Sequence, residues 1–167
     1  MLKIMNRKYS KEQYLELVEK MKKEIPEIKF STDIIVGFAG ETEEDFEDTL
    51  DVVKKVGFEQ VFMFIYSRRK GTPGDKMENQ IPEEIKHKRF DRLKGLVESQ
   101  IAENNKEYLN TTQKVLVEGP SKGDETMLTG RTEYNKVVVF KGKEELINKI
   151  IPVKITEDHM WYFKGEI

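Results

Sequence analysis

Three short segments hold the residues that could do chemistry. The first reads Asp33-Ile34-Ile35-Val36-Gly37-Phe38-Ala39-Gly40-Glu41 and runs into Thr42, Glu43 and Glu44. An apolar strand end, a glycine turn and a helix start, in that order, make the crevice in which α/β proteins take ligands beyond the carboxyl ends of their strands. Asp33, Ile35 and Gly37 are its candidate lining, and a glycine there would let a bound molecule approach the backbone. The acidic helix start argues against a phosphate despite the helix dipole. The segment is neither a G-x-G-x-x-G nor a Walker A loop, and an ordinary strand–turn–helix connection has the same spacing. The second segment, Tyr66-Ser67-Arg68-Arg69-Lys70-Gly71-Thr72-Pro73, also follows an apolar run. Its three cations could meet a carboxylate or phosphate, or simply face water. The third places Arg131, Asn135 and Lys136 at a turn, in a β-rich stretch with Tyr134, Phe140, Trp161, Tyr162 and Phe163. Rings beside cations can stack on single-stranded nucleic acid, although most of these rings are expected in a core.

The elements that must position these groups are readable from spacing. Ser10 with Gln13 is a capping box, and Tyr14, Leu15, Val18, Met21 and Ile25 recur at helical intervals before Pro26 stops the run. Lys29–Val36 predicts a strand. Thr42 with Asp45 opens a second helix whose inner stripe is Phe46, Thr49, Leu50, Val53 and Val56, with Gly57 placed to end it. Phe58–Tyr66 predicts a second strand. Both strands are apolar enough to be covered on both faces of a parallel sheet. Two parallel strands are too few for a stable sheet, so this half reads as a piece of a larger α/β domain. A loop over Ser67–Ile81 leads to Pro82 and a long helix to about Leu109, with Ile85, Phe90, Leu93, Val97, Ile101 and Tyr108 on one face. Short β-rich runs then follow: Lys114–Glu118, Met127–Arg131, Lys136–Phe140, Ile150–Thr156 and Trp161–Ile167. Separated by turns such as Gly119–Gly123, they predict a small antiparallel barrel, OB-like in size.

Composition removes several classes of function. There is no cysteine among the 167 residues, which excludes disulfides, a thiol nucleophile and cysteine-held zinc or iron–sulfur sites within this chain. The net charge of −2 is not the footprint of a strongly basic nucleic-acid binder. From Asn110 onward nine Lys and Arg face nine Asp and Glu, so the barrel stretch is not cationic either. His87 and His159 lack companions at metal-ligand spacing, and no Gly-x-Ser-x-Gly elbow occurs. No signal segment or spanning run is present, so a soluble, cytoplasmic protein with no membrane partner is the expectation.

Taken together, the segments resemble the tRNA methylthiotransferases, radical S-adenosylmethionine enzymes, and most closely their MiaB type. The resemblance is carried by Lys3–Tyr9, by Thr32–Phe38 with Gly40–Phe46, by Gly71-Thr72-Pro73, and then by Thr111-Thr112-Gln113, Val115–Gly119 and Gly130–Glu133 with Asn135–Val138. It covers essentially the whole chain. It implies an α/β first part, residues 1–108, belonging to the C-terminal part of a radical S-adenosylmethionine, partial TIM-like barrel. Residues 109–167 would be a TRAM domain, an all-β, RNA-binding barrel.

The resemblance further implies addition of a methylthio group to an isopentenylated adenosine beside the tRNA anticodon. The cofactors implied are S-adenosylmethionine and two 4Fe–4S clusters in the parent enzyme, whose cysteine ligands are absent here. On this reading the chain is a C-terminal fragment, inactive alone. Asp33, Ile35, Gly37, Tyr66 and Arg69 would contact S-adenosylmethionine or substrate. Arg131, Asn135 and Lys136 would contact the anticodon stem-loop. The cut barrel edge would pair with a second copy. Ala39, Lys70 and Asn110 stand where the family usually has proline, proline and glycine, which puts those loop shapes in doubt. Two other readings stay open: a freestanding, non-catalytic RNA-binding module, and a sister methylthiotransferase acting on another adenosine or on a ribosomal protein.

Overall fold

Ser10 and Thr42 each open a helix in the computed structural model, which describes all residues from 1 to 167. The Ser10 hydroxyl accepts the Gln13 N–H at 3.2 Å, and the Gln13 side chain accepts the Ser10 N–H at 2.9 Å, so α1 spans Lys11–Glu24. Thr42 and Asp45 repeat the exchange at 3.1 and 3.0 Å to start α2, Glu43–Val56. Each cap satisfies orphan N–H groups of the first turn and contributes about 1 kcal/mol. α2 ends where expected, at Gly57, and buries Phe46, Leu50, Val53 and Val56.

The chain divides into two compact units, Met1–Gln100 and Ile101–Ile167. In the first, β1 (Ser31–Val36) and β2 (Gln60–Ile65) pair in parallel from Ser31 opposite Gln60 to Val36 opposite Ile65. The expected cover on both faces is only half met. Val36 and Val61 are buried, whereas Asp33, Ile35, Phe62 and Phe64 share the other face, and Ile35, Phe62 and Phe64 stay 43, 46 and 51% exposed. The sheet has two strands, and these side chains stay open to water. The loop after β2 contains a short 3-10 helix, Gly74–Lys76. Helix α3 runs Glu83–Asn105 and stops short of Leu109, because residues 106–108 turn tighter, with N–H groups reaching back three residues.

In the second unit β3 (Thr112–Ser121), β4 (Asp124–Thr132), β5 (Val137–Lys141), β6 (Ile150–Asp158) and β7 (Tyr162–Glu166) close into a barrel in the order β3-β4-β5-β7-β6. Alternate residues point inward: Val115, Val117, Leu128, Val138, Phe140, Val153, Ile155 and Phe163 are buried together with Tyr108. Each such side chain contributes about 1.5–3 kcal/mol by leaving water. Gly165 makes room for closure, since a Cβ there would lie 2.5 Å from Val153 Cγ1. Three expectations are corrected. The barrel is not wholly antiparallel, because β7 returns parallel to β5. Gly119, Pro120 and Ser121 are not turn but strand, held in β3 by two register shifts that absorb the extra residues as bulges. Trp161 and Tyr162 are not core: Phe163 points inward, so by alternation Tyr162 points out. No helix is long and apolar enough to cross a membrane.

Candidate functional site

The turn after β1 is shaped by α3. Gly37 has φ 77° and donates its N–H to Glu41 Oε2 at 3.0 Å. A Cβ on Gly37 would lie 2.4 Å from Lys86 Cγ, and one on Gly40 would lie 2.4 Å from Asn79 Nδ2. The room expected at Gly37 for a bound molecule is therefore filled by the Lys86 stem. What demands glycine is a left-handed backbone pressed against α3.

Tyr66 lies beside this turn. Its N–H donates to the Val36 carbonyl at 2.8 Å, its ring tilts against Phe38 with centroids 4.7 Å apart, and its carbonyl accepts Lys86 Nζ at 3.2 Å. The structure thus brings Gly37 and Tyr66 together at adjacent strand ends. Asp33 and Ile35 instead share the open face of the sheet, two residues apart on β1. Arg69 joins none of them. Its side chain is exposed and makes no ion pair, while its carbonyl accepts the Thr72 N–H and hydroxyl at 3.1 and 2.8 Å. The three-cation run is split, because Arg68 bonds across the loop surface to Asp75 Oδ1 at 3.1 Å. A cleft of about 780 Å³ is lined by the N-terminal segment, α1, β1 and α2, among them Tyr9, Tyr14, Thr32, Ile34 and Thr49. Of the five candidates at this end only Ile35 borders it.

Sequence reasoning missed the two cations that hold the corner. Lys86 and Arg89 occupy the inner stripe of α3, with Leu93, Val97 and Ile101. The Arg89 side chain is 7% exposed and its NH1 donates to Glu41 Oε2 at 2.8 Å and to the Glu41 carbonyl at 3.0 Å. Its Nε reaches Glu43 at 3.2 Å. Lys86, 4% exposed, pairs with Glu83 at 2.7 Å. Burial pushes the Glu41 carboxyl above its usual range, and the Gly37 N–H and Arg89 pull it back in part. The signal was the spacing itself: positions 86, 89, 93, 97 and 101 follow the i, i+3, i+4 rule, with cations in two of the apolar places.

In the barrel, Arg131 donates to Asn135 Oδ1 at 3.0 Å and pairs with Glu118 at 3.2 Å. Asn135 has φ 63°, which asparagine tolerates, and turns the chain between β4 and β5. Lys136 points elsewhere, to Asn105 Oδ1 at 3.0 Å, with its Nζ 5.7 Å from the Tyr108 ring centroid. His87 meets the Glu83 carbonyl at 2.8 Å, and His159 meets Glu157 at 2.7 Å and stacks on Tyr162.

Comparison with known proteins gives these positions a context. Residues 1–53 match the Radical SAM superfamily and residues 106–167 match the TRAM domain. The chain is 55% identical over 166 residues to the tRNA-2-methylthio-N(6)-dimethylallyladenosine synthase of Clostridium beijerinckii, covering 99% of this chain and 36% of that protein. By sequence, the chain is similar over its whole length to the radical SAM tRNA methylthiotransferases. Synthases of the same name from Clostridium perfringens and Alkaliphilus oremlandii are 54 and 53% identical, each over 99% of this chain and 37 and 35% of their own lengths. The chain therefore spans about 36% of the curated relatives it matches. The family's iron–sulfur clusters do not fit the residues present, since there is no cysteine and no group of three His, Asp or Glu that could hold a metal. S-adenosylmethionine is a better match: the open face sets the Asp33 carboxylate among Ile35, Phe62 and Phe64, which suits a flat ring carrying N–H or O–H donors.

Proposed function

We propose that this chain is part of a tRNA-2-methylthio-N(6)-dimethylallyladenosine synthase, the enzyme that places a methylthio group on isopentenyladenosine beside the tRNA anticodon. The supporting observation is identity of 55% sustained over 99% of the chain, with radical SAM sequence at one end and TRAM sequence at the other. On this reading residues 1–108 contribute strands to a partial TIM-like barrel and residues 109–167 form the TRAM domain. Asp33 and Ile35 face S-adenosylmethionine across the open sheet face, with Gly37, Tyr66 and Arg69 at the strand ends. Arg131, Asn135 and Lys136 face the anticodon stem-loop of a cytoplasmic tRNA. The cut barrel edge, rather than the open sheet face, pairs with a second copy of the chain. The radical chemistry is supplied by clusters held outside these residues, so the chain alone is inactive.

A chimera tests this. The matching segment of the Clostridium beijerinckii synthase is replaced by this chain and expressed in cells lacking the modification. Mass spectrometry of digested tRNA is expected to show the methylthio group restored on isopentenyladenosine, and not by the chain alone. A chimera that accumulates but leaves that adenosine bare overturns the proposal. A methylthio group on another adenosine would favour the sister-enzyme reading.

A further inference from the structure

We propose that Trp161, with the stacked His159–Tyr162 pair, is a platform for unpaired bases of an RNA strand, flanked by Lys136 and Arg131. It rests on the tRNA reading above and goes beyond the residues named there. Trp161 is 55% exposed and Tyr162 37%, whereas Phe140 and Phe163 in the same barrel are at 0 and 1%. The His159 and Tyr162 rings lie 4.7 Å apart and 4° from parallel. An unpaired base adding to such a stack exchanges water for a ring face whatever its sequence.

The rings are presented by a fixed corner. Asp158 Oδ1 accepts the Met160 N–H at 2.7 Å and Asn105 Nδ2 at 2.8 Å. Asn105, itself 1% exposed, also donates to the Met160 carbonyl at 2.9 Å. This holds Met160 at φ 65°, a conformation costly for methionine that persists where its surroundings impose it. A platform already in place spares the binding event that ordering cost. The same Asn105 accepts Lys136 Nζ at 3.0 Å, so the cation belongs to the corner's own network. The register Arg131–Val137–Tyr162 across β4, β5 and β7 puts Arg131 in the outward row of Tyr162.

Stacking, more than charge, selects the occupant. The acidic groups of the corner are engaged within the barrel: Glu157 with His159 and Lys164 at 2.7 and 3.1 Å, Asp158 with Asn105 and Met160. They do not stand alone against a phosphate. Each ring also carries a polar edge, as a base would meet and an aliphatic protein surface would not. With cations and carboxylates balanced from Asn110 onward, stacking supplies more of the affinity than phosphate neutralisation, and the salt dependence is shallow.

Trp161 is the single tryptophan of the chain and reports its own contacts. The whole chain is titrated with an RNA hairpin bearing an unpaired loop and with a fully paired duplex of equal length, following Trp161 emission and the anisotropy of end-labelled RNA. The loop RNA is expected to quench Trp161 and the duplex not. Trp161→Ala is expected to weaken loop binding by about 5- to 150-fold, the equivalent of one lost stack of about 1–3 kcal/mol. Trp161→Phe, which keeps a ring, retains most of the affinity. Loop RNA that binds with unchanged emission and equal affinity for Trp161→Ala overturns the platform and leaves the tRNA reading standing. Absence of RNA binding overturns the platform, and the chimera then decides the tRNA reading separately. Emission that shifts with chain concentration in the absence of RNA assigns the rings to a second copy and also overturns it.

Discussion

Replacing Arg89 by leucine removes one side of the buried pair that holds the turn after β1. Arg89 supplies contacts to the Glu41 carboxylate, to the Glu41 carbonyl and to Glu43. Its guanidinium also lies 5.7 Å from the Phe46 ring centroid. Without it the Glu41 side chain, 6% exposed, keeps the Gly37 N–H as its partner. Breaking a buried pair from one side costs about 3–5 kcal/mol, and the leucine stem recovers part of the packing, so a loss near 3 kcal/mol is expected. The pH dependence has a definite sign. Burial already raises the Glu41 carboxyl above its ordinary 4.5, and losing Arg89 raises it further. Between the ordinary and the raised value the folded state holds a proton that the unfolded chain has released, so stability falls as pH rises through that window. The variant's deficit should be smaller at about pH 4 than at about pH 7. Replacing Glu41 and Arg89 together by leucine should recover most of the stability and abolish that slope. Urea unfolding followed by far-UV circular dichroism reads the helices, while Trp161 emission reads the second unit and should not move. If Arg89→Leu unfolds within about 1 kcal/mol of the parent, with an unchanged pH slope, the pair does not hold this corner.

Two further outcomes follow from the first unit. Gly37→Ala meets both a φ of 77° and a Cβ contact of 2.4 Å with Lys86, whereas Gly71→Ala meets a φ of 87° in open space. Thermal unfolding should therefore show a loss for Gly37→Ala that exceeds the roughly 1 kcal/mol expected at Gly71. If the cut barrel edge pairs with a second copy, sedimentation should give a concentration-dependent dimer, and a monomer for the parent chain at high concentration would remove that reading.

Local signals were legible because they act within a few residues. The Ser10–Gln13 and Thr42–Asp45 exchanges depend only on spacing. The alternation Val115, Val117 and Val138, Phe140 marked strands without any knowledge of partners. Pairing was not legible in the same way: nothing in Val137–Lys141 says that Tyr162–Glu166 will lie parallel to it. At the candidate site, the proximity of Gly37 and Tyr66 was legible because glycine turns and strand ends leave marks in sequence. Lys86 and Arg89 were missed because a charged residue on a helix is ordinarily solvated, and only the tertiary partners Glu41 and the Tyr66 carbonyl, with Glu83 one turn back on the same helix, make their burial affordable.

The position of β7 carries a consequence for biosynthesis. β7 lies between β5 and β6, both of which precede it in the chain. Translation delivers residues from the N-terminus, so β3 through β6 leave the ribosome while the place between β5 and β6 is still vacant. Until Tyr162–Glu166 has cleared the exit tunnel, β5 and β6 each present a row of unpaired backbone groups, a template for errant pairing between nascent chains. Closure of the second unit is thus timed by the emergence of its last strand, and a ribosome paused just before that strand holds the barrel open.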